Sequence, residues 1–372
     1  MYKIFIKRKK KNKNYWRKNF HNIISKKKFL YELRKRKRHG VSTGSMERKY
    51  KDRYISKITP IDVPTILCFD RNLDETLNFF NEIRKVGDNN KRLFIEMRYL
   101  KDISPEAALV LVSELDRLCI LSGKRIEVRY FNKWEEQIKT IFRDIGMYDF
   151  LHIKLSRKQK LSQICNDNNS IKFLKFRAGV DIDYGRKVEI IDDIKKLLNN
   201  SKELNGRKTL KVGLTEAILN THHHAYPNDF IKKSIFKAPK WWVSACFDSS
   251  NNDMKLIVYD QGKTIPCTLD LKKYGLFNES DSDRIKTAVE TSESSTKLAN
   301  RGKGLKSIKQ YAKNANNGEL VIISKKGYYK YIKNADNIKT FNMGQALEGT
   351  LISWKGCIES DIDIDKSLYK EN

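Results

Sequence analysis

Four short clusters in the C-terminal half of the chain combine residue types and spacings suited to chemistry, and they follow one another in a fixed order. The first is Glu216-Ala217-Ile218-Leu219-Asn220, followed by His224-Ala225-Tyr226. An i, i+4 spacing puts Glu216 and Asn220 on one helix face, one turn apart. A carboxylate there can orient and deprotonate a water, while an amide oxygen one turn on can bind a hard divalent cation. The second is Asp260-Gln261-Gly262, closing the apolar run Leu256–Tyr259. An Asp fixed at a strand end can accept a hydrogen bond from the exocyclic amino group of a base, and Gly262 lets a planar ligand approach the backbone closely. The third is Arg301-Gly302-Lys303-Gly304-Leu305 at a helix start. Glycines there expose backbone N–H groups and the positive dipole end, which suit a phosphate, and Lys303 adds a countercharge. The fourth, Gly349-Thr350, enters the last strand with a hydroxyl able to support the same base pocket.

Singly, each cluster also has a plain structural reading: a solvated helix stripe, a strand-to-turn junction, a helix start. The third is neither a Walker P-loop nor a Rossmann fingerprint. The run His222-His223-His224 invites a metal reading, but successive helical residues point about 100° apart and do not converge on one ion. His224 is expected to pack behind the pocket. The six cysteines are scattered without a C-x-x-C pair, which predicts a reduced, intracellular protein lacking disulfides and structural zinc.

As an ordered set the clusters resemble the Bergerat-type, or GHKL, ATP-binding fold shared by DNA gyrase, heat-shock chaperones, histidine kinases and mismatch-repair ATPases. The resemblance covers residues 170–358. It implies ATP and Mg2+ as cofactors, Glu216 as the water-activating base and Asn220 as the Mg2+ ligand. It further implies Asp260 as the adenine partner, with Gly262 beneath the ring and Thr350 assisting, and Gly302 and Gly304 around the phosphates. The stretch from about Thr268 to Asn300 would be a mobile lid. Asn220 followed by His224-Ala225-Tyr226 is most similar to the anti-sigma-factor serine kinases. A histidine kinase needs an upstream His followed by an acid, whereas His21, His39 and His152 precede Asn22, Gly40 and Ile153.

Those residues need elements to hold them. The patterning predicts helices over Val188–Leu198, Leu210–Tyr226 and Leu305–Lys313, and strands at Trp242–Phe247, Leu256–Tyr259, Glu319–Ser324, Tyr328–Ile332 and Gly349–Trp354. Residues 156–186 read as polar and irregular. Upstream, strands are expected at Thr65–Phe69, Leu93–Arg98 and Ile126–Tyr130. A helix carries Leu73, Leu77, Phe80 and Ile83 on one face. A second starts at Ser104-Pro105-Glu106, with an N-cap hydroxyl, a proline in the first turn and an acid at the dipole's positive end. A last helix ends at Gly146. This α/β stretch resembles a STAS domain, in which the turn before the long helix can carry a phosphorylatable Ser; Ser104 is the nearest match, and an N-cap role explains it without phosphate. The expected fold class is therefore α/β: a STAS-like domain (61–155), a linker (156–169), and a Bergerat-type sandwich (170–358) with a mixed sheet covered by helices on one face, then a tail (359–372).

Charge sets the remaining expectations. The chain has 372 residues and a net charge of +30. Residues 1–60 hold 22 Lys/Arg against 3 Asp/Glu, a net +19, so the other 312 residues carry only +11. The arm 1–60 reads as a polyanion-binding segment, with Tyr15, Trp16, Phe20, Phe29 and Tyr31 among its cations, as a solvated tail, or as a membrane-surface contact. No apolar run approaches the roughly 18 residues of a membrane span, and a cytoplasmic location is expected. The expected function is a slow ATPase or serine-kinase-like regulator whose STAS-like part is a built-in regulator or substrate. Its partners would be ATP, nucleic acid or another polyanion through the arm, and a regulatory protein. The alternative is a nucleotide-gated binding or scaffold protein without turnover.

Overall fold

The computed structural model describes residues 27–40, 42–44, 46, 58–88, 92–123, 126, 128, 130–153, 170–180, 184–197, 205–236, 238–269, 274–275, 278–291 and 304–357. Residues 27–38 form a basic helical segment; residues 1–26 and most of 41–57 of the arm, the linker 156–169 and the tail 359–372 lie outside the described residues. The first unit runs β1 (Ile58–Asp62), β2 (Ile66–Leu67), α1 (Leu73–Asp88), β3 (Arg92–Glu96), β4 (Asp102–Ile103), α2 (Pro105–Ser122), α3 (Glu136–Asp144) and α4 (Met147–Leu151). β1 pairs in parallel with β3, and β2 with β4.

Helix α2 starts and stops where its sequence directs. Ser104 Oγ accepts from the Ala107 N–H, Pro105 occupies the first turn, and Gly123 ends the helix in the left-handed conformation (φ 59°). Ala107 to Val112 and Leu115 are all 0% exposed, so this helix is buried around its circumference rather than along one stripe. Two strand expectations need correcting. Ile126–Tyr130 forms no ladder among its described residues, and Tyr130 sits at φ 52°, outside strand geometry. β1 escaped the pattern because Pro60 interrupts it; as an edge strand it tolerates the missing N–H.

The second unit continues with β5 (Ile171–Phe173), β6 (Arg177–Val180), α5 (Tyr184–Leu197) and α6 (Asn205–Asn220), which passes into a π-helical turn at Thr221–Ala225. Then come α7 (Asn228–Lys233), β7 (Lys240–Asp248), β8 (Asp253–Asp260), α8 (Ile265–Thr268), α9 (Asp281–Glu290), α10 (Gly304–Asn314), β9 (Glu319–Ile332) and β10 (Asn337–Cys357). The sheet order is β5-β7-β8-β10-β9, with β6 also on β7. Every pairing in it is antiparallel among the described residues, where a mixed sheet was expected. The reason is local: β7–β8 and β9–β10 are joined by short turns, which only antiparallel neighbours allow. β5 and β6 fall in the stretch that read as irregular, and β9 fuses two expected strands across Lys325, which takes a positive φ of 56°.

The sheet is covered on both faces, not one. Along β8 the side chains alternate. Leu256 and Val258 join a core with Ile190, Ile194, Leu214 and Ile308 of α5, α6 and α10. Ile257 and Tyr259 join the other, which also contains Leu77, Phe80, Leu109 and Leu115 of α1 and α2. The first unit thus lies on the sheet's second face, and the two units share a core. Polar contacts cross the seam as well. Lys255 Nζ donates to Glu106 Oε1 at 2.7 Å, Trp242 Nε1 to Asp116 Oδ2 at 3.0 Å, and the Tyr328 hydroxyl to Asp70 Oδ1 at 2.6 Å.

Candidate functional site

A cleft opens between α6, α9 and α10 on one side and the ends of β8 and β10 on the other, with a volume of about 890 Å3 counted to its mouth. α6 and its π-helical extension present Ala217, Asn220, Thr221 and His224 to it. That is an i, i+3, i+4, i+7 stripe, so one helix edge forms the wall. The extra residue of a π turn shifts the side chains that follow it, a device frequent at functional sites.

At one end of the cleft, α6 meets the start of α10. A Cβ placed on Gly304 would lie 2.9 Å from Glu216 Oε2 and 3.0 Å from Asn220 Nδ2. A larger residue there would require the Glu216 and Asn220 side chains to move aside. Glu216 and Asn220 are half-buried, and Gly304 is buried. Gly302 and Lys303 fall outside the described residues.

At the other end stands Asp260, the last residue of β8. It is 6% exposed, and Thr350 of β10 is its register partner across the sheet. Thr350 Oγ1 and Ser324 Oγ are 2.8 Å apart, and Ser324 Oγ accepts from the Ile265 N–H at 2.9 Å. Gly349, at φ 88°, brings the strand so near that a Cβ would meet the Asp260 carbonyl oxygen at 1.9 Å. Burial pushes the Asp260 carboxyl up to about 7, against the Gly262 N–H and the Thr221 hydroxyl, which favour its charged form. The Gly262 N–H donates to Asp260 Oδ1 at 2.8 Å. Among the described residues no cation offsets the burial, so the group is poised to exchange a proton near neutrality or to accept a donor from a ligand.

Gly262 stands elsewhere than expected. It does not line the cleft. A Cβ on it would lie 2.4 Å from the Ala225 carbonyl oxygen, and the next residue, Lys263, donates its N–H to that oxygen at 2.6 Å. Its role is to seat the Asp260-Gln261-Gly262 turn on the π-helical turn. Tyr226 braces the same turn, accepting from the Gln261 N–H at 3.2 Å and donating to the Lys240 carbonyl at 3.1 Å.

The cleft is therefore lined by Asn220, Asp260, Gly304 and Thr350, while Glu216 lies beside Gly304 without being part of the lining. The structure adds Thr221, Lys263, Tyr274 and Thr291, which the sequence reading passed over. Thr221 was legible, lying four residues after Ala217 on the same helix edge. Lys263, Tyr274 and Thr291 carry no sequence signal of their own. The segment expected as a lid contains α9, whose Ile285 and Val289 are 0% exposed. Its middle is thus part of the core, and residues 292–303 lie outside the described residues. Ser104 caps α2 across the sheet from the cleft: α2 packs on the face of Ile257 and Tyr259, whereas Val258 and Ile352 line the cleft.

The fold and the cleft together define a mixed α/β protein with a large antiparallel sheet and a mainly apolar pocket, with a few polar groups, at its strand ends. No family model matches the chain, and no curated protein sequence matches it. Among the described residues no helix is long and apolar enough to cross a membrane.

Proposed function

We propose that the chain is an ATP- and Mg2+-binding protein of the Bergerat (GHKL) type, with a STAS-like N-terminal unit, acting as a slow ATPase or serine-kinase-like regulator. The observation that carries this reading is the convergence of four sequence clusters, separated by up to 134 positions, on one cleft with the polar groups divided between its two ends. The buried Asp260, which has no cation beside it among the described residues, suits the amino group of adenine, a further donor to the carboxylate. The tight approach of Gly304 to Glu216 and Asn220 makes a backbone-lined cradle beside a carboxylate and an amide, a donor set that fits phosphates and a hard divalent cation. Asn220 would hold Mg2+, whose bound charge would offset that of the phosphates. Glu216 would take the proton from the attacking hydroxyl or water, and Thr350 would steady the base through Ser324.

Between acceptors, the sheet lying between the cleft and Ser104 disfavours transfer to Ser104 within one chain. Hydrolysis, or transfer to a serine of a second protein, is preferred. The basic arm would add a polyanion partner to either activity, and the first unit a regulatory protein partner. The alternative, a nucleotide gate with no turnover, uses the same pocket without the Glu216 step.

The test is purified protein with γ-labelled ATP. Free phosphate supports the ATPase and label on protein the kinase; binding without either supports the gate. Glu216→Ala is expected to retain ATP binding and lose at least about 100-fold in turnover; unchanged turnover would remove Glu216 from its role.

A further inference from the structure

The residue between Asp260 and Gly262 carries a feature that pocket chemistry alone does not explain. Gln261 is 7% exposed and its side chain leaves the cleft for the other face of the sheet. Its Nε2 donates to Glu114 Oε1 at 3.0 Å and to Ser113 Oγ at 3.3 Å, both on α2. Glu114 is 0% exposed and is charge-paired on each side: Arg84 Nε of α1 donates to its Oε1 at 2.9 Å, and Arg117 Nε to its Oε2 at 3.1 Å. Arg84 also reaches the hydroxyl of Tyr259, the residue before Asp260, at 3.5 Å. The main chain of the turn is held separately, by Tyr226 and Ala225 from the helix side.

We infer that Gln261 is a positioning residue for the cleft, through which buried Glu114 of the first unit fixes the orientation of the Asp260 carboxylate. The physical reasoning is short. The Asp260 carboxylate takes its orientation from the Gly262 N–H, and the Gln261 side chain adds to the main-chain contacts a second anchor for the turn that carries this N–H. Here the anchor is a charge-assisted hydrogen bond in a dry seam, among the stronger contacts available to a neutral side chain. Glu114 cannot follow a moving Gln261, because two arginines already hold both its oxygens. The consequence is that the N-terminal unit, by way of α2, forms part of the machinery that recognises the base, and a shift of α2 would be felt at Asp260 before anywhere else in the cleft. This rests on the ATP-binding reading above.

Base discrimination is the readout, because a loss of general stability would weaken all nucleotides alike. Inosine triphosphate lacks the 6-amino group that Asp260 would accept from. The wild-type chain is expected to bind ATP at least about tenfold tighter than inosine triphosphate. Gln261→Met, which keeps the volume and leaves Glu114 its two arginines, is expected to narrow that preference to about threefold or less. Tyr328→Phe, which removes a contact across the same seam, to Asp70, without touching α2 or the turn, is expected to preserve it. Should the Met variant fail to fold, Gln261→Asn withdraws the amide by one methylene and carries the same expectation. A wild-type preference retained in full by the folded Gln261 variant would overturn the inference while leaving the pocket intact. Absence of ATP binding, or of any preference in the wild type, would instead overturn the pocket assignment, and the inference with it.

Discussion

Asp260 is the residue on which most of the chemistry turns, and its environment makes it sensitive to pH. A buried carboxyl whose pKa rises from the ordinary carboxylate range to about 7 binds its proton more tightly in the folded than in the unfolded chain. The stability this gives is fully present below about pH 4 and is lost as pH rises toward 7. Asp260→Asn removes that dependence, so the variant is expected to melt higher than the wild type at pH 8 and alike at pH 4, as thermal denaturation at the two values would show. Nucleotide binding should run the other way, weakening as pH falls below 7 and the acceptor is protonated. At this scale the sequence spoke clearly for Asp260, Asn220 and Thr350, whose types and order match their places. The packing of Gly262 against Ala225 was not legible, because a glycine needed for packing and one needed for ligand approach look the same in a sequence. Gln261 was unreadable, since its partner Glu114 lies 147 positions away.

Helix α9 decides how much of the 268–300 segment is free to move. Ser280 caps it by accepting from the Asp283 N–H, Asp281 and Asp283 sit in its first turn, and Ile285 and Val289 drop into the core. Ile285→Ala is expected to cost about 2–5 kcal/mol in chemical denaturation; a change below 0.5 kcal/mol, a value typical of the surface, would mean that α9 belongs to a mobile lid. At the sheet, Gly349→Ala forces a Cβ onto the Asp260 carbonyl at positive φ. It is expected to destabilise by at least about 1–3 kcal/mol and to weaken nucleotide binding together with it. The cap and the i, i+4 apolar pair of α9 were present in the sequence, but the Ser/Thr and charge density around them masked a short helix. Helices α1 and α10 were legible from an apolar period of about three turns, and α2 from its Ser104-Pro105-Glu106 start and Gly123 stop. β10 was legible only over Gly349–Trp354: its first half was missed because pairing with β9 skips from Asn342 to Leu347, a bulge that breaks the alternation that marks a strand.

The whole molecule is organised by helix α2 lying across the sheet. Its Glu106 is pushed up by burial but drawn down further by the Lys255 ammonium and the Ser353 hydroxyl, and settles below the usual carboxylate range. Such a pair holds at neutral pH and is lost only as pH falls through the depressed pKa. Replacing one partner strands the other in a dry seam, so Glu106→Gln is expected to cost about 3–5 kcal/mol. Because the cores of both units meet on the sheet, calorimetry should record one unfolding transition over residues 58–357, and two well-separated transitions would show that the units are thermally independent. Alternation of strand and helix disclosed an α/β protein with two units. It held no sign that one unit roofs the other, since the seam is built from apolar residues that any core would use and from ion pairs such as Glu106–Lys255 that are far apart in the chain. The most direct measurement of the central claim is a calorimetric titration of Mg-ATP into the wild-type chain and into Asp260→Asn. The account predicts saturable one-to-one binding to the wild type that Asp260→Asn abolishes; no binding to the wild type, or equal affinity in both, would contradict it.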